Sequence, residues 1–165
     1  LMLKLFSQTG WRFLWLALLT FVLDQYTKGL IVEHIELYQA VQVNSFFNLT
    51  HVYNYGAAFS FLHDAGGWQR WFFSVVAFAV VAMLLWWLKQ LSRAQIILPV
   101  AFCLIIGGAL GNVYDRLVLG HVVDFLVVYY QEWVWPAFNV ADSAICLGAV
   151  LLIVDMFKNK EQKND

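Results

Sequence analysis

The sequence predicts an α-helical integral membrane protein with four transmembrane helices and a small β-sheet outside the membrane. Of its 165 residues, 62% are hydrophobic and only 13% are charged. Soluble domains average about 45–50% apolar and about 25% charged residues, so this composition indicates a membrane protein. Four apolar runs approach the length of about 20 residues that a spanning helix needs. We expect them to form one membrane-embedded domain over residues 1–165.

The four predicted spans cover residues 11–28, 71–88, 94–114 and 135–157. The first span follows Lys4 and Arg12, as the apolar part of a signal peptide would. It leads into Asp24-Gln25-Tyr26-Thr27-Lys28, whereas a cleavable signal has small residues at that point. We therefore expect the first span to be retained.

Two polar segments, residues 29–67 and 115–134, connect the spans on one side of the membrane. Within the first, residues 40–44 alternate in polarity and residues 46–53 are rich in aromatic and β-branched side chains. Asn44-Ser45 lies between them as a turn. This pattern predicts a small β-hairpin.

The basic residues predict the orientation of the spans. Seven of the ten lie on the side that holds both termini and the short connection at 89–93, and three lie on the opposite side. Cytoplasmic loops carry an excess of Lys and Arg, so both termini are expected in the cytoplasm and both long connections outside. The seven are Lys4, Arg12, Lys89, Arg93, Lys158, Lys160 and Lys163; the three are Lys28, Arg70 and Arg116.

Polar residues of three spans fall at one depth. At about 1.5 Å per residue, Asp24 lies roughly 18 Å beyond Arg12, Asp142 roughly 20 Å before Asp155, and Asn112 about 28 Å beyond Arg93. All three reach the outer part of a hydrocarbon core of about 30 Å. An ionisable residue in a span costs at least about 2.5 kcal/mol, so such an alignment predicts either a functional site or polar contacts that hold the helices together.

Three glycines lie within the third predicted span, and Arg116 follows its end. Arg116 lies four residues after Asn112, so the two share a helical face if the helix continues that far. We expect Arg116 to pair with a carboxylate such as Asp24 or Asp115 and to hold the ends of loops. Gly107, Gly108 and Gly111 have the spacing that lets helices approach closely in membranes. A nucleotide-binding role is not favoured, because no strand precedes these glycines.

Asp124 and Asp142 are the candidate catalytic pair. Two neighbouring carboxylates do not both ionise readily, so one keeps a proton while the other accepts one. Such a pair can activate water and protonate a leaving group without a metal or other cofactor. The two protonation steps belong to the pair, so the sequence does not say which aspartate is the base.

Several motifs, taken together, resemble the bacterial lipoprotein signal peptidase family, also called signal peptidase II. The resemblance covers essentially the whole chain. It is carried by Asp24-Gln25 with Lys28, Asn54-Tyr55-Gly56-Ala57-Ala58-Phe59, Gly107-Gly108-Ala109-Leu110-Gly111-Asn112, Asp115-Arg116, Val123-Asp124-Phe125 and Phe138-Asn139-Val140-Ala141-Asp142.

The resemblance implies an aspartic endopeptidase of the bacterial inner membrane with its active site at the outer face. It would remove the signal peptide from a prolipoprotein on the N-terminal side of the diacylglyceryl-modified cysteine. Asp124 and Asp142 would be catalytic, and Asp24 and Lys28 a structural motif. Site-supporting positions would be Asn54, Gly108, Asn112, Arg116, Asn139 and Ala141.

The same resemblance implies a small extracytoplasmic sheet over residues 40–54 and a short lid helix over 56–63. The implied partners are the lipid-modified substrate, membrane lipids and cyclic peptide inhibitors of the globomycin type. We expect a monomer, and no basic cluster suggests nucleic acid.

Three alternatives remain open from the residues. A serine hydrolase would use Ser143 with Lys28 or His121, although adjacent residues such as Asp142 and Ser143 point about 100° apart on a helix. A metallohydrolase would use His121, Asp124 and Asp115. An ion- or proton-coupled transporter would use Asp24 and Asp142 as carriers.

Overall fold

The structure is a computed structural model that describes residues 8–56 and 67–161, the last three without their side chains. It contains four long helices and a four-stranded antiparallel sheet. This architecture confirms the predicted fold class. The lid helix predicted over 56–63 lies outside the described residues, apart from Gly56.

All four long helices are apolar and long enough to cross a membrane. A single 3₁₀ turn, Gly10–Phe13, leads into α1. α1 and α3 continue beyond the predicted ends of their spans, because their polar residues remain helical and contact neighbouring helices. α4 begins later than residue 135, because the preceding segment joins the sheet. The helices are α1 Leu14–His34, α2 Gln69–Gln90, α3 Ile97–Val118 and α4 Val140–Glu161.

α3 is the central and most buried helix, and the other three pack against it. Its glycines face two neighbours at once. A Cβ atom on Gly107 would meet the backbone oxygen of Ala17 in α1, and one on Gly108 would meet that of Ala141 in α4. The predicted close packing is therefore present, and it brings α1 and α4 together across α3.

The sheet has the order β1-β2-β3-β4. The predicted hairpin is confirmed as β1 Ala40–Asn44 and β2 Phe47–Asn54. β3 Val122–Tyr130 and β4 Trp133–Val134 were not predicted, since residues 115–134 were interpreted only as a polar connection. β3 pairs with β2 so that Asp124 lies opposite Val52.

A short bridge connects the sheet to the start of α4. The backbone oxygen of Phe138 accepts hydrogen bonds from the amides of Phe125 and Leu126, at 3.0 and 2.8 Å, and the Phe138 amide donates to the Leu126 oxygen. This bridge holds the residues before α4 against β3. Residues 139–142 consequently lie beside Asp124.

Candidate active site

Asp142 is held at the first turn of α4 by a reciprocal cap. The backbone amide of Asp142 donates to Asn139 Oδ1 at 2.9 Å, and the backbone amide of Asn139 donates to Asp142 Oδ2 at 3.3 Å. This is the capping-box arrangement, in which a side chain three residues into the helix bonds back to the cap residue. The positive end of the helix dipole favours a negative charge at this position.

Asp124 projects from β3 and is only 2% exposed. Its carboxylate accepts hydrogen bonds from Asn54 Nδ2 at 3.0 Å and from Asn139 Nδ2 at 2.7 Å. Asn139 thus contacts both predicted catalytic residues: its backbone amide donates to the Asp142 carboxylate, and its side-chain amide donates to the Asp124 carboxylate. The two aspartates are joined through one asparagine.

Asn112 reaches Asp142 from α3. Its Nδ2 donates to Asp142 Oδ1 at 2.7 Å, while its Oδ1 accepts from Lys28 Nζ at 3.1 Å and from Asn139 Nδ2 at 3.2 Å. Polar residues of α1, α3 and α4 therefore meet at one level, as the depth count predicted.

An ion-pair cluster lies behind these amides. Lys28 Nζ is 2.8 Å from Asp24 Oδ2 and 2.8 Å from Asp115 Oδ2. The other Asp24 oxygen accepts the backbone amide of Ala141 at 2.9 Å, and Asp115 Oδ2 accepts that of Val123 at 3.2 Å. The cluster thus ties α1 and α3 to the residues that immediately precede Asp124 and Asp142.

The expected pairing of Arg116 with Asp24 or Asp115 is wrong, because Lys28 occupies both carboxylates. The Arg116 guanidinium donates instead to the backbone oxygens of Gly56 at 2.9 Å and Asn112 at 3.3 Å. It also lies 5.3 Å from the ring centre of Phe73, close enough for a cation–π contact. Arg116 therefore braces the end of β2 against α3.

Gly108 and Ala141 lie behind the site and do not line it. Ala141 is fully buried, and Gly108 packs against its backbone oxygen. Gln25 had no predicted role, yet its Nε2 donates to Asp115 Oδ1 at 2.9 Å and to Asp24 Oδ2 at 3.1 Å. The signal was present, because Gln25 directly follows Asp24 in the helical turn that ends at Lys28, and Asp115 follows Asn112 by three residues.

Burial and a neighbouring charge alter the titration of Asp124. Burial, followed by the nearby Asp142 carboxylate, raises the pKa of Asp124 to about 7. The amides of Asn54 and Asn139 and the charge of Lys28 oppose this rise without cancelling it. At neutral pH the pair can therefore hold one proton and still offer one carboxylate.

A cavity of about 350 Å³ lies beside the two aspartates. Both aspartates line this cavity, and most of the other lining residues are apolar. Such a cavity can hold a peptide segment with apolar side chains against a pair of acids. The lining residues are Asn54, Asp124, Trp135, Pro136, Ala137, Phe138, Asp142, Ser143, Ile145 and Cys146.

The residues of the alternative mechanisms are engaged elsewhere. Ser143 Oγ donates to the backbone oxygen of Asn139, and Lys28 is bound to the ion-pair cluster. His121 stacks on Tyr53 with ring centres 3.7 Å apart, and burial lowers its pKa. Within residues 8–56 and 67–161, no three His, Cys, Asp or Glu side chains form a group that could hold a metal ion. The polar cluster also gathers at one end of the helices, which does not favour a transporter.

Comparison with known proteins gives a consistent result. The family model for signal peptidase (SPase) II matches residues 16–158. A lipoprotein signal peptidase of Pseudoalteromonas atlantica is 70% identical over 164 residues, which cover 99% of this chain and 100% of that protein. One of Aeromonas hydrophila is 56% identical over 95% of both chains. A solved bacterial membrane enzyme shares 30% identity with a TM-score of 0.81, over 90% of this chain and 88% of that one.

Proposed function

Because the chain belongs to the signal peptidase II family, a family of membrane proteases, we propose that it cleaves prolipoproteins as an aspartic endopeptidase with Asp124 and Asp142 as its catalytic pair. The observation that carries the proposal is the contact of Asn139 with both aspartates. It supports a pair built to act as a unit, in a cavity with apolar walls.

In this mechanism, the ionised carboxylate accepts a proton from a water molecule as the water oxygen adds to the scissile carbonyl carbon. The protonated carboxyl donates a hydrogen bond to the carbonyl oxygen. The C–N bond of the tetrahedral intermediate then breaks as its nitrogen takes a proton from the pair. A pKa of about 7 for Asp124 supports a pair that retains one proton at neutral pH.

The substrate in this proposal is a diacylglyceryl-modified prolipoprotein, cut on the N-terminal side of the modified cysteine. Its scissile bond would lie at the outer surface of the bacterial inner membrane, with both termini of the enzyme in the cytoplasm. Two features support this placement. The sheet and the polar cluster lie at the same end of the helices, and the excess of basic residues lies at the other end. The acyl chains would lie along apolar helix faces in contact with membrane lipids.

We further propose that the enzyme acts as a monomer, since both aspartates and their amide partners come from one chain. Cyclic peptide inhibitors of the globomycin type would occupy the cavity beside the pair. Asn54, Asn112 and Asn139 would hold the aspartates, and Arg116 would support the backbone at Gly56.

The test is release of signal peptide from a purified diacylglyceryl-modified precursor. Asp124→Asn and Asp142→Asn should each lower turnover by at least about 100-fold, since each removes one proton-transfer group. The matched control is Asp155→Asn, the same change on α4 about 20 Å from Asp142, which should leave turnover unchanged. Substantial turnover in either dyad variant would overturn the assignment, and loss of turnover in Ser143→Ala would favour the serine alternative.

A further inference from the structure

Lys28 occupies a buried position behind the two aspartates and is 3% exposed. An ammonium group has three N–H donors and no acceptor. Three acceptors surround it: Asp24 Oδ2 and Asp115 Oδ2, each at 2.8 Å, and Asn112 Oδ1 at 3.1 Å. Two of these contacts are ion pairs: the one to Asp24 lies within α1, and the one to Asp115 joins α1 to α3. The third leads towards the candidate catalytic pair.

The contact between Lys28 Nζ and Asn112 Oδ1 determines which way the Asn112 side-chain amide is oriented. With Oδ1 facing the ammonium, Nδ2 faces Asp142 Oδ1 at 2.7 Å. The reverse orientation would set an NH₂ group against the ammonium and an oxygen against the carboxylate, so both contacts would be repulsive. Asn139 Nδ2 also approaches Asn112 Oδ1, but it has shorter contact with Asp124 and a further acceptor in Val123.

We propose that Lys28 is a positioning residue for peptide-bond cleavage, because its ammonium fixes the Asn112 amide in the orientation that holds Asp142. Among the described residues, Lys28 has no hydrogen bond to Asp124 or Asp142, so it acts through Asn112. This inference rests on the proposed function, in which those aspartates are the catalytic pair.

The charge of Lys28 acts in the same direction as its hydrogen bond. A nearby positive charge favours the ionised form of a carboxyl group, and Lys28 opposes the rise in the pKa of Asp124. Removing the ammonium should therefore move the acid limb of the rate profile to higher pH. The other charged groups nearby come from α1 and α3: Asp24 and Asp115 face Lys28, and the charge of Arg116 acts on Asp142.

The experiment separates this role from the stability that the ion pairs give. Lys28→Met alone would leave two buried carboxylates without their cation, so it is combined with Asp115→Asn, which removes one charge of each sign. The reference is Asp115→Asn alone, which keeps the donor to Asn112. Relative to it, we expect kcat per folded molecule to fall at least ~10-fold, KM to change less than ~2-fold, and the acid limb to rise by ~0.5 pH unit.

A second variant keeps the test decisive if the double variant does not fold. Lys28→Arg retains the positive charge. However, the planar guanidinium group of arginine binds carboxylates in a bidentate manner, which should move its N–H donors away from Asn112. We expect a folded protein with the same ~10-fold loss in kcat. The control is Lys89→Met, an exposed lysine on α2, which should change neither kcat nor the pH profile.

The outcomes distinguish this inference from the proposed function. If Asp124→Asn or Asp142→Asn retains turnover, the proposed function fails. If those variants are inactive while every folded Lys28 variant keeps the reference kcat and pH profile, Lys28 only stabilises the fold and the positioning role is refuted.

Discussion

Replacing Asp124 with asparagine should change how the stability of the protein depends on pH. Burial and the neighbouring Asp142 raise the pKa of Asp124 from 3.8 to about 7. The folded state therefore holds this proton more tightly than the unfolded state does. Stability of the natural protein should fall as pH rises from about 4 to about 7, and the whole penalty is present above pH 7.

The size of the stability penalty follows from the size of the pKa shift of Asp124. At about 1.4 kcal/mol per pKa unit, the penalty for ionising Asp124 approaches about 4 kcal/mol as an upper limit. Asparagine does not ionise, so the variant lacks this penalty. It has one acceptor oxygen where the carboxylate has two, so Asn54 or Asn139 loses a partner at every pH, at a cost of about 1–3 kcal/mol.

The variant should consequently be less stable than the natural protein near pH 4.5 and at least as stable near pH 8. Unfolding by denaturant in detergent micelles, followed by tryptophan fluorescence across that range, measures the difference. Asp155→Asn should give a curve parallel to that of the natural protein. A constant stability difference between Asp124→Asn and the natural protein at all pH values would refute the raised pKa.

Three further predictions concern activity and packing. The value of kcat/KM should fall above about pH 7, where the proton retained near Asp124 is lost, as a pH profile will measure. Asp24→Asn should lower the free energy of unfolding by about 3–5 kcal/mol, because it breaks a buried ion pair. Turnover per folded molecule should change little. Thermal unfolding measures the stability, and titration with an inhibitor counts the folded molecules for the turnover comparison. Gly108→Ala should destabilise by about 1–3 kcal/mol, because its Cβ would meet the Ala141 oxygen; Gly29→Ala, which meets nothing within 4 Å, serves as the control in unfolding measurements.

Depth counting predicted the part of the site that helices build. The rise of an α-helix is fixed, so Asp24, Asn112 and Asp142 could be set at one level from residue numbers alone. The structure joins them through Lys28, Ala141 and direct contact. Asp124 could not be located this way, because it lies in a strand whose position depends on pairing with residues about 70 positions earlier.

Sequence spacing alone also could not decide which basic residue pairs with Asp24 in the ion-pair cluster. Lys28 lies one helical turn after Asp24 in α1, whereas Arg116, the partner expected from the sequence, lies in α3. The structure selects Lys28 because α1 and α3 meet closely at Gly111, where a Cβ atom would collide with the Asp24 carboxylate. β3 was missed although Val122–Tyr130 is an apolar and aromatic run, because Asp124 and the flanking polar residues outweighed that signal.

Asn139 offers the sharpest separation of helix capping from catalysis. It caps α4 through its oxygen and holds Asp124 through its nitrogen. Asn139→Ser keeps a good cap residue but loses the donor to Asp124, so stability should fall by about 1–3 kcal/mol, the cost of leaving a buried acceptor without its partner. Asn139→Ala loses both and should be less stable than the serine variant by about 1 kcal/mol.

If the asparagine acts on both aspartates, both variants should lose turnover by a similar factor although their stabilities differ. Unfolding in detergent and peptide release from the lipid-modified precursor measure the two quantities separately. Normal turnover in Asn139→Ser would mean that helix capping alone accounts for the residue, and that the catalytic pair does not depend on the bridge between Asp124 and Asp142.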